Sequence, residues 1–201
     1  MATGHPVDAR GRTLPDSGWP VDRQAPGGLE FVRRFCNTVN LESGADRLDD
    51  SADFDDWLRQ QGSRAIGADA ATRSALAECR ELLRAAAVAH RNGAGDDTVV
   101  AELARRCASV TFHFEVRGSA VPMRSDAADG TVEHLLARLL LGVADAVTDD
   151  TWNRFKACSN CRWVVYDTSK NRSARWCSMS ACGGRSKVRQ HRARRRGASG
   201  D

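Results

Sequence analysis

Four of the chain's seven cysteines lie in one short stretch, "CSNCRWVVYDTSKNRSARWCSMSAC", residues 158–182. Thiols at this density hold a metal, exchange as disulfides, or sit as small apolar groups in a core. Cys158, Cys161, Cys177 and Cys182 follow the spacing C-x2-C-x15-C-x4-C. A C-x2-C turn points two thiolates into the same space, and a second pair completes a tetrahedral all-sulfur site suited to Zn2+ at about 2.3 Å per bond. A redox C-x-x-C sits beside a βαβ pattern, and none is visible. Four ligands close the coordination sphere, so one structural Zn2+ is expected, with no open position for a hydrolytic water. The segment is too small to bury a core of its own, and zinc binding is expected to supply its folding energy. Cys36, Cys79 and Cys107 fall on apolar helix faces and are expected in the core.

The chain's net charge of +4 conceals an asymmetry. Residues 152–201 hold 13 Lys/Arg against 2 Asp/Glu, a net of +11, while residues 1–151 carry −7. All three lysines, Lys156, Lys170 and Lys187, lie in that basic stretch. After the last cysteine, Arg185, Arg189, Arg192 and Arg196 fall on one helical face, and Lys187, Arg194 and Arg195 widen the band. Lys170, Arg172 and Arg175 precede it in the inter-cysteine loop. Such a stripe repels itself and is relieved by phosphates, so a zinc-held scaffold for a nucleic acid is the expected use, against a merely solvating tail. Trp163, Tyr166 and Trp176 could stack on single-stranded bases, but in so small a unit they are expected to be structural.

The elements that must position these groups are read from periodicity. Helices are expected over 28–43, around "ADFDDWLRQQG" with Trp57 and Leu58 inward, over 69–93, over "DDTVVAELARRCAS", and over "TVEHLLARLLLGVADAVTDD". A β-hairpin is expected in "SVTFHFEVRGSAVPMR", its second strand shortened by Pro122. "TWNRFKAC" and "CRWVVYD" read as two short strands flanking the first cysteine pair, and "SACGGRSKVRQHRARRR" as a helix. Boundaries follow: a loose arm at 1–28, a mainly helical domain at 29–150, the cysteine module with its basic helix at 151–196, and a tail at 197–201.

Catalytic constellations are thin. His113 and His90 read as surface or core, and the run Asp49, Asp50, Asp53, Asp55, Asp56 lacks the glycine and closing glutamate of a calcium loop. There is no phosphate loop or nucleophile elbow, so no enzyme is expected. No apolar run approaches membrane-spanning length and the N-terminus has no secretory pattern, which places the chain in the cytoplasm and its thiols in the reduced state.

Residues 158–195 resemble the CGNR zinc finger. The resemblance rests on Cys158, Cys161, Trp163, Asp167, Ser169, Asn171, Arg175, Trp176, Cys177, Met179, Cys182, Gly183, Arg185 and Lys187, in order. Gly184 departs from the family's asparagine. Residues 29–150, with "FCNTVN" and a "WL" before a glycine, are similar in layout to the ABATE domain that usually precedes this finger. The resemblance implies an α+β protein: a mainly helical N-terminal domain with a small hairpin, then a small treble-clef-like four-cysteine finger. It further implies a bacterial transcriptional regulator that binds double-stranded DNA through the finger, with an unidentified small-molecule ligand for the N-terminal domain. An RNA-binding protein, or a module docking on RNA polymerase or another transcription protein, are the alternatives.

Overall fold

The computed structural model describes residues 24–119 and 121–188. Its elements are α1 (Leu29–Cys36), α2 (Ser51–Gln60), α3 (Ala70–Asn92), α4 (Asp97–Arg106), β1 (Phe112–Phe114), β2 (Met123–Ser125), α5 (Val132–Thr148), β3 (Phe155–Ala157) and β4 (Val164–Tyr166). β1–β2 and β3–β4 are antiparallel pairs, so the α+β reading holds, with helices supplying the bulk and two hairpins the rest. The arm up to residue 23, the tail at 197–201, and Arg189, Arg192, Arg194, Arg195 and Arg196 lie outside the described residues.

Local chemistry sets the helix ends. Asp50 caps α2 by accepting from the Ala52 and Asp53 amides, Asp69 caps α3 through Thr72, and Thr131 caps α5 through His134. Gly93 ends α3 in the left-handed conformation. Two of the acidic run are therefore structural: Asp50 is a cap, and buried Asp55 accepts from the amides of Ile66 and Gly67 at 2.9 and 3.2 Å. His113 stays on the surface beside Asp126.

The helix expected over 28–43 stops at Cys36. The Thr38 hydroxyl donates to the Phe35 carbonyl at 2.9 Å, and Val39, expected on the helical stripe, instead forms an isolated antiparallel bridge with Asp46. Side-chain bonds from Thr and Asn offer the backbone an alternative to the helix, and here they win.

α1 is the centre of the core. Leu29, Val32, Phe35 and Cys36 are buried on it, with Phe54 and Trp57 stacked at 5.6 Å beside it. Burial pushes the thiols of Cys36 and Cys107 up to about 12, and that of Cys79 up as well, as expected of inert core groups. α1 meets α5 where Gly28 faces Gly142, and a Cβ on Gly142 would lie 2.6 Å from the Gly28 carbonyl oxygen. Backbone cannot yield as a side-chain tip can, so Gly142→Ala is expected to destabilise the chain by about 1–3 kcal/mol. Urea unfolding checks this; an unchanged midpoint would mean that the two helices part freely.

Candidate metal centre

β3 and β4 pair Phe155 with Tyr166, Lys156 with Val165 and Ala157 with Val164. The ladder continues into the first cysteine turn through the Cys158 amide, which donates to the Trp163 carbonyl at 2.9 Å. The Arg162 amide closes that turn on the Cys158 carbonyl at 3.1 Å, with Arg162 itself at φ 58°, a left-handed position held by a non-glycine residue. The return segment is fixed by the Ser159 amide on the Arg175 carbonyl at 2.9 Å, which brings Cys177 alongside.

Cys182 arrives differently from the expected plain helix start. Met179–Gly183 forms a single π-turn, with the amides of Cys182 and Gly183 both donating to the Ser178 carbonyl. The wider turn delivers the thiol inward before residues 184–188 take up a regular helix. A Cβ at Gly184 would lie 3.7 Å from the Met179 carbonyl, an ordinary contact, so the backbone here has room for a side chain.

The four Sγ atoms lie within 4.8 Å of one another. Cys161 Sγ is 3.6 Å from Cys177 Sγ and 3.6 Å from Cys182 Sγ. A tetrahedral site with bonds of about 2.3 Å has sulfur–sulfur edges of about 3.8 Å, so the donor set fits Zn2+. The thiols also compete for charge. Hydrogen bonds first from Cys161 and then from Cys177 drive Cys158 well below the ordinary thiol range, while the bond to Cys158 raises Cys161 to about 12 and pushes Cys177 up too. Four thiolates so close need a cation, and a dication with four sulfur ligands resolves the conflict. The surrounding donors point the same way. The Asn160 amide lies 3.4 Å from Cys158 Sγ, and Asn160 Nδ2 and Arg185 Nη2 lie 3.5 and 3.2 Å from Cys182 Sγ. Among the described residues this is the one group of its kind.

The hairpin is gripped by the helical body. Phe155, Ala157, Val164 and the preceding Trp152 belong to the body's core cluster, whereas Cys158, Val165, Cys177 and Cys182 form a second cluster with Trp163 and Trp176. Asn37, just past α1, donates from Nδ2 to the Val164 carbonyl and accepts its amide at Oδ1, both at 2.8 Å. Arg84 on α3 donates to the Arg162 carbonyl at 2.8 Å and to the Cys36 carbonyl, tying the cysteine turn to two helices. His90 Nδ1 lies 2.9 Å from the Phe155 carbonyl, and its ring packs edge-on against Trp152. Reading the sequence for chemistry passes over Asn37, Arg84 and Asn160; the usable signal for the first was its place in "FCNTVN".

The basic residues divide. Lys156 is buried, its ammonium 3.0 Å from the fully buried Asp167 carboxylate and bonded to the Arg172 carbonyl. Arg172 pairs with Asp150 at 2.7 Å, and Arg185 with Glu42 at 2.7 Å, each of the acids belonging to the body. The bond to Glu42 raises the Arg185 guanidinium above its already high range. Lys170, Arg175 and Lys187 are exposed. Trp163 and Trp176 are half-buried against the cluster, as expected of structural aromatics.

No described helix is long and apolar enough to cross a membrane. No curated protein matches the chain. Two family models do: the CGNR zinc finger over residues 154–195 and, over residues 30–150, the ABATE family, described as "Putative stress-induced transcription regulator". The tetrathiol cluster falls wholly inside the first of these and the α1–α5 body, but for Leu29, inside the second; the chain belongs to the ABATE family and carries a C-terminal CGNR zinc finger.

Proposed function

We propose that the chain is a cytoplasmic, non-enzymatic bacterial transcriptional regulator that binds double-stranded DNA through its finger. The observation that carries the reading is the set of exposed cations, Lys170, Arg175 and Lys187, in the same short segment as a cluster built to hold Zn2+, followed in the sequence by the arginine-rich residues 189–196. Zinc fixes the cysteine turn against the start of the basic helix, and the cations neutralise phosphates, which position a protein on a duplex. The half-buried setting of Trp163 and Trp176 favours a duplex over single strands, since a stacking platform needs free aromatic faces.

About five phosphate contacts give a slope of log K against log[salt] of about −4 to −5 on duplex DNA. Anisotropy titrations of the full chain at several salt concentrations measure it. A salt-independent affinity, or one unchanged when Cys158 and Cys161 are both replaced by serine, would falsify the reading. Stronger binding to single-stranded RNA would move the proposal to that partner.

A further inference from the structure

The body has a cleft of about 350 Å³ between the start of α1 and α5, floored by Gly28 and Gly142 and walled by Phe31, Leu141 and Arg138. Arg138 is unusual among the body's arginines. Buried Arg33, Arg80 and Arg84 each lie against a carboxylate, at 2.6, 2.6 and 3.0 Å. Arg73 places its donors on the carbonyls of Leu48, Ala68 and Asp49. Arg138 bonds the Ser63 hydroxyl and, at 3.5 Å, the Gln61 carbonyl, and its guanidinium carbon lies over the Phe31 ring, 3.7 Å from the centroid. A guanidinium has five N–H donors, so most of its capacity is left, and no carboxylate pairs with it among the described residues. Burial pulls its pKa down, a shift that the charge of Asp129 opposes without cancelling.

The cleft's other charges narrow the choice of ligand. Glu30 is neutralised by Arg33 and Arg34 at 2.6 and 2.8 Å. Asp145, two turns further along α5, is exposed on the far rim and repels a second negative group. The floor is backbone, because both glycines lack side chains, and Phe31 and Leu141 give the walls an apolar part beside Arg34, Gln61 and Arg138. A cleft of this size is at the small end of ligand sites. We infer that the α1–α5 cleft binds a small planar organic monocarboxylate, its carboxylate held by the fork of Arg138 and its apolar part lying over the Gly28–Gly142 floor against Leu141.

Trp57, 5.7 Å from Phe31, is a built-in reporter. The zinc-loaded full chain is titrated with benzoate, with uncharged benzamide and with the dianion terephthalate, following tryptophan fluorescence and backbone amide shifts. The expected result is saturable binding of benzoate with shifts confined to the cleft, and about tenfold or greater weakening for each of the other two. Arg138→Gln is expected to lose benzoate by about tenfold or more, Arg138→Lys to lose less, and Arg105→Gln, at an exposed position on α4 outside the cleft, to change little. Thermal unfolding without ligand shows whether each variant is folded; should Arg138→Gln fail to fold, the Arg138→Lys and benzamide arms decide. Equal binding of benzamide, benzoate affinity unmoved in a folded Arg138→Gln, shifts centred on the finger's cations, or no saturable binding would each overturn the inference. None of these outcomes depends on what the finger binds.

Discussion

Removal of the metal is expected to dissolve the outer half of the finger and leave the helical body standing. Structural zinc in small modules contributes apparent binding energies of about 10–16 kcal/mol near neutral pH, far beyond what one small apolar cluster can replace. The cluster that depends on it contains Cys158, Val165, Cys177 and Cys182, with Cys161, Trp163 and Trp176 packed against them. Phe155, Ala157 and Val164 belong to the other cluster and stay anchored among α1, α3 and α5. A strong chelator, or replacement of Cys158 and Cys161 by serine, should therefore erase amide protection over residues 158–183 while protection in α3 and α5 survives. Far-ultraviolet helicity should change little, and the environments of Trp163 and Trp176 should change strongly. Loss of the whole fold in one step would mean that metal and body form one cooperative unit; no loss anywhere would mean that the thiols need no metal.

Opening the Lys156–Asp167 pair has the second largest expected effect. Asp167 is fully buried and accepts from Lys156, from the Ser169 hydroxyl at 2.6 Å and from the amides of Ser169 and Ala174 at 2.9 Å each. It is the knot that shapes the loop between the two cysteine pairs. Asp167→Ala strands a buried ammonium, and breaking one side of such a pair costs about 3–5 kcal/mol. The double variant Lys156→Met, Asp167→Leu should recover part of this, though not the loop bonds. Burial by itself would raise the Asp167 carboxyl, but the bonds from Ser169, Lys156 and Ala174 outweigh it and hold the group below its ordinary value of 3.8. The folded state thus binds this proton less readily than the unfolded chain. The stabilisation is complete above the unfolded value and is lost as pH falls through the lowered folded one. Urea midpoints of wild type should fall on acidification through that range, and Asp167→Ala should lack this component of the decline.

The cysteine centre was legible in the sequence because its ligands come in short-range pairs whose spacing is itself the geometry. The long helices were legible too, since a stripe such as Leu76, Cys79 and Leu83 has the same meaning in any fold. The grip of body on finger was not. Asn37 meets Val164 across 127 positions and Arg84 meets Arg162 across 78, and a polar residue's distant partner leaves no local period to read. Charge counting is blind to burial for a related reason: it includes Lys156, which burial with Asp167 removes from any ligand's reach. It also could not foresee that Arg172 and Arg185 lie against Asp150 and Glu42. A phosphate at either arginine must displace an exposed carboxylate, a competition worth about 0.2–1 kcal/mol per pair.

The double bond between Asn37 and Val164 has a meaning beyond attachment. A two-stranded ribbon has two open edges, and each open edge offers amides and carbonyls to any passing strand. At Val164 in β4 one side-chain amide occupies both backbone groups at 2.8 Å, as a neighbouring strand would. The helical body thus closes the ribbon's edge at this point: a side chain that cannot propagate a sheet takes the two backbone groups that an incoming strand would need there.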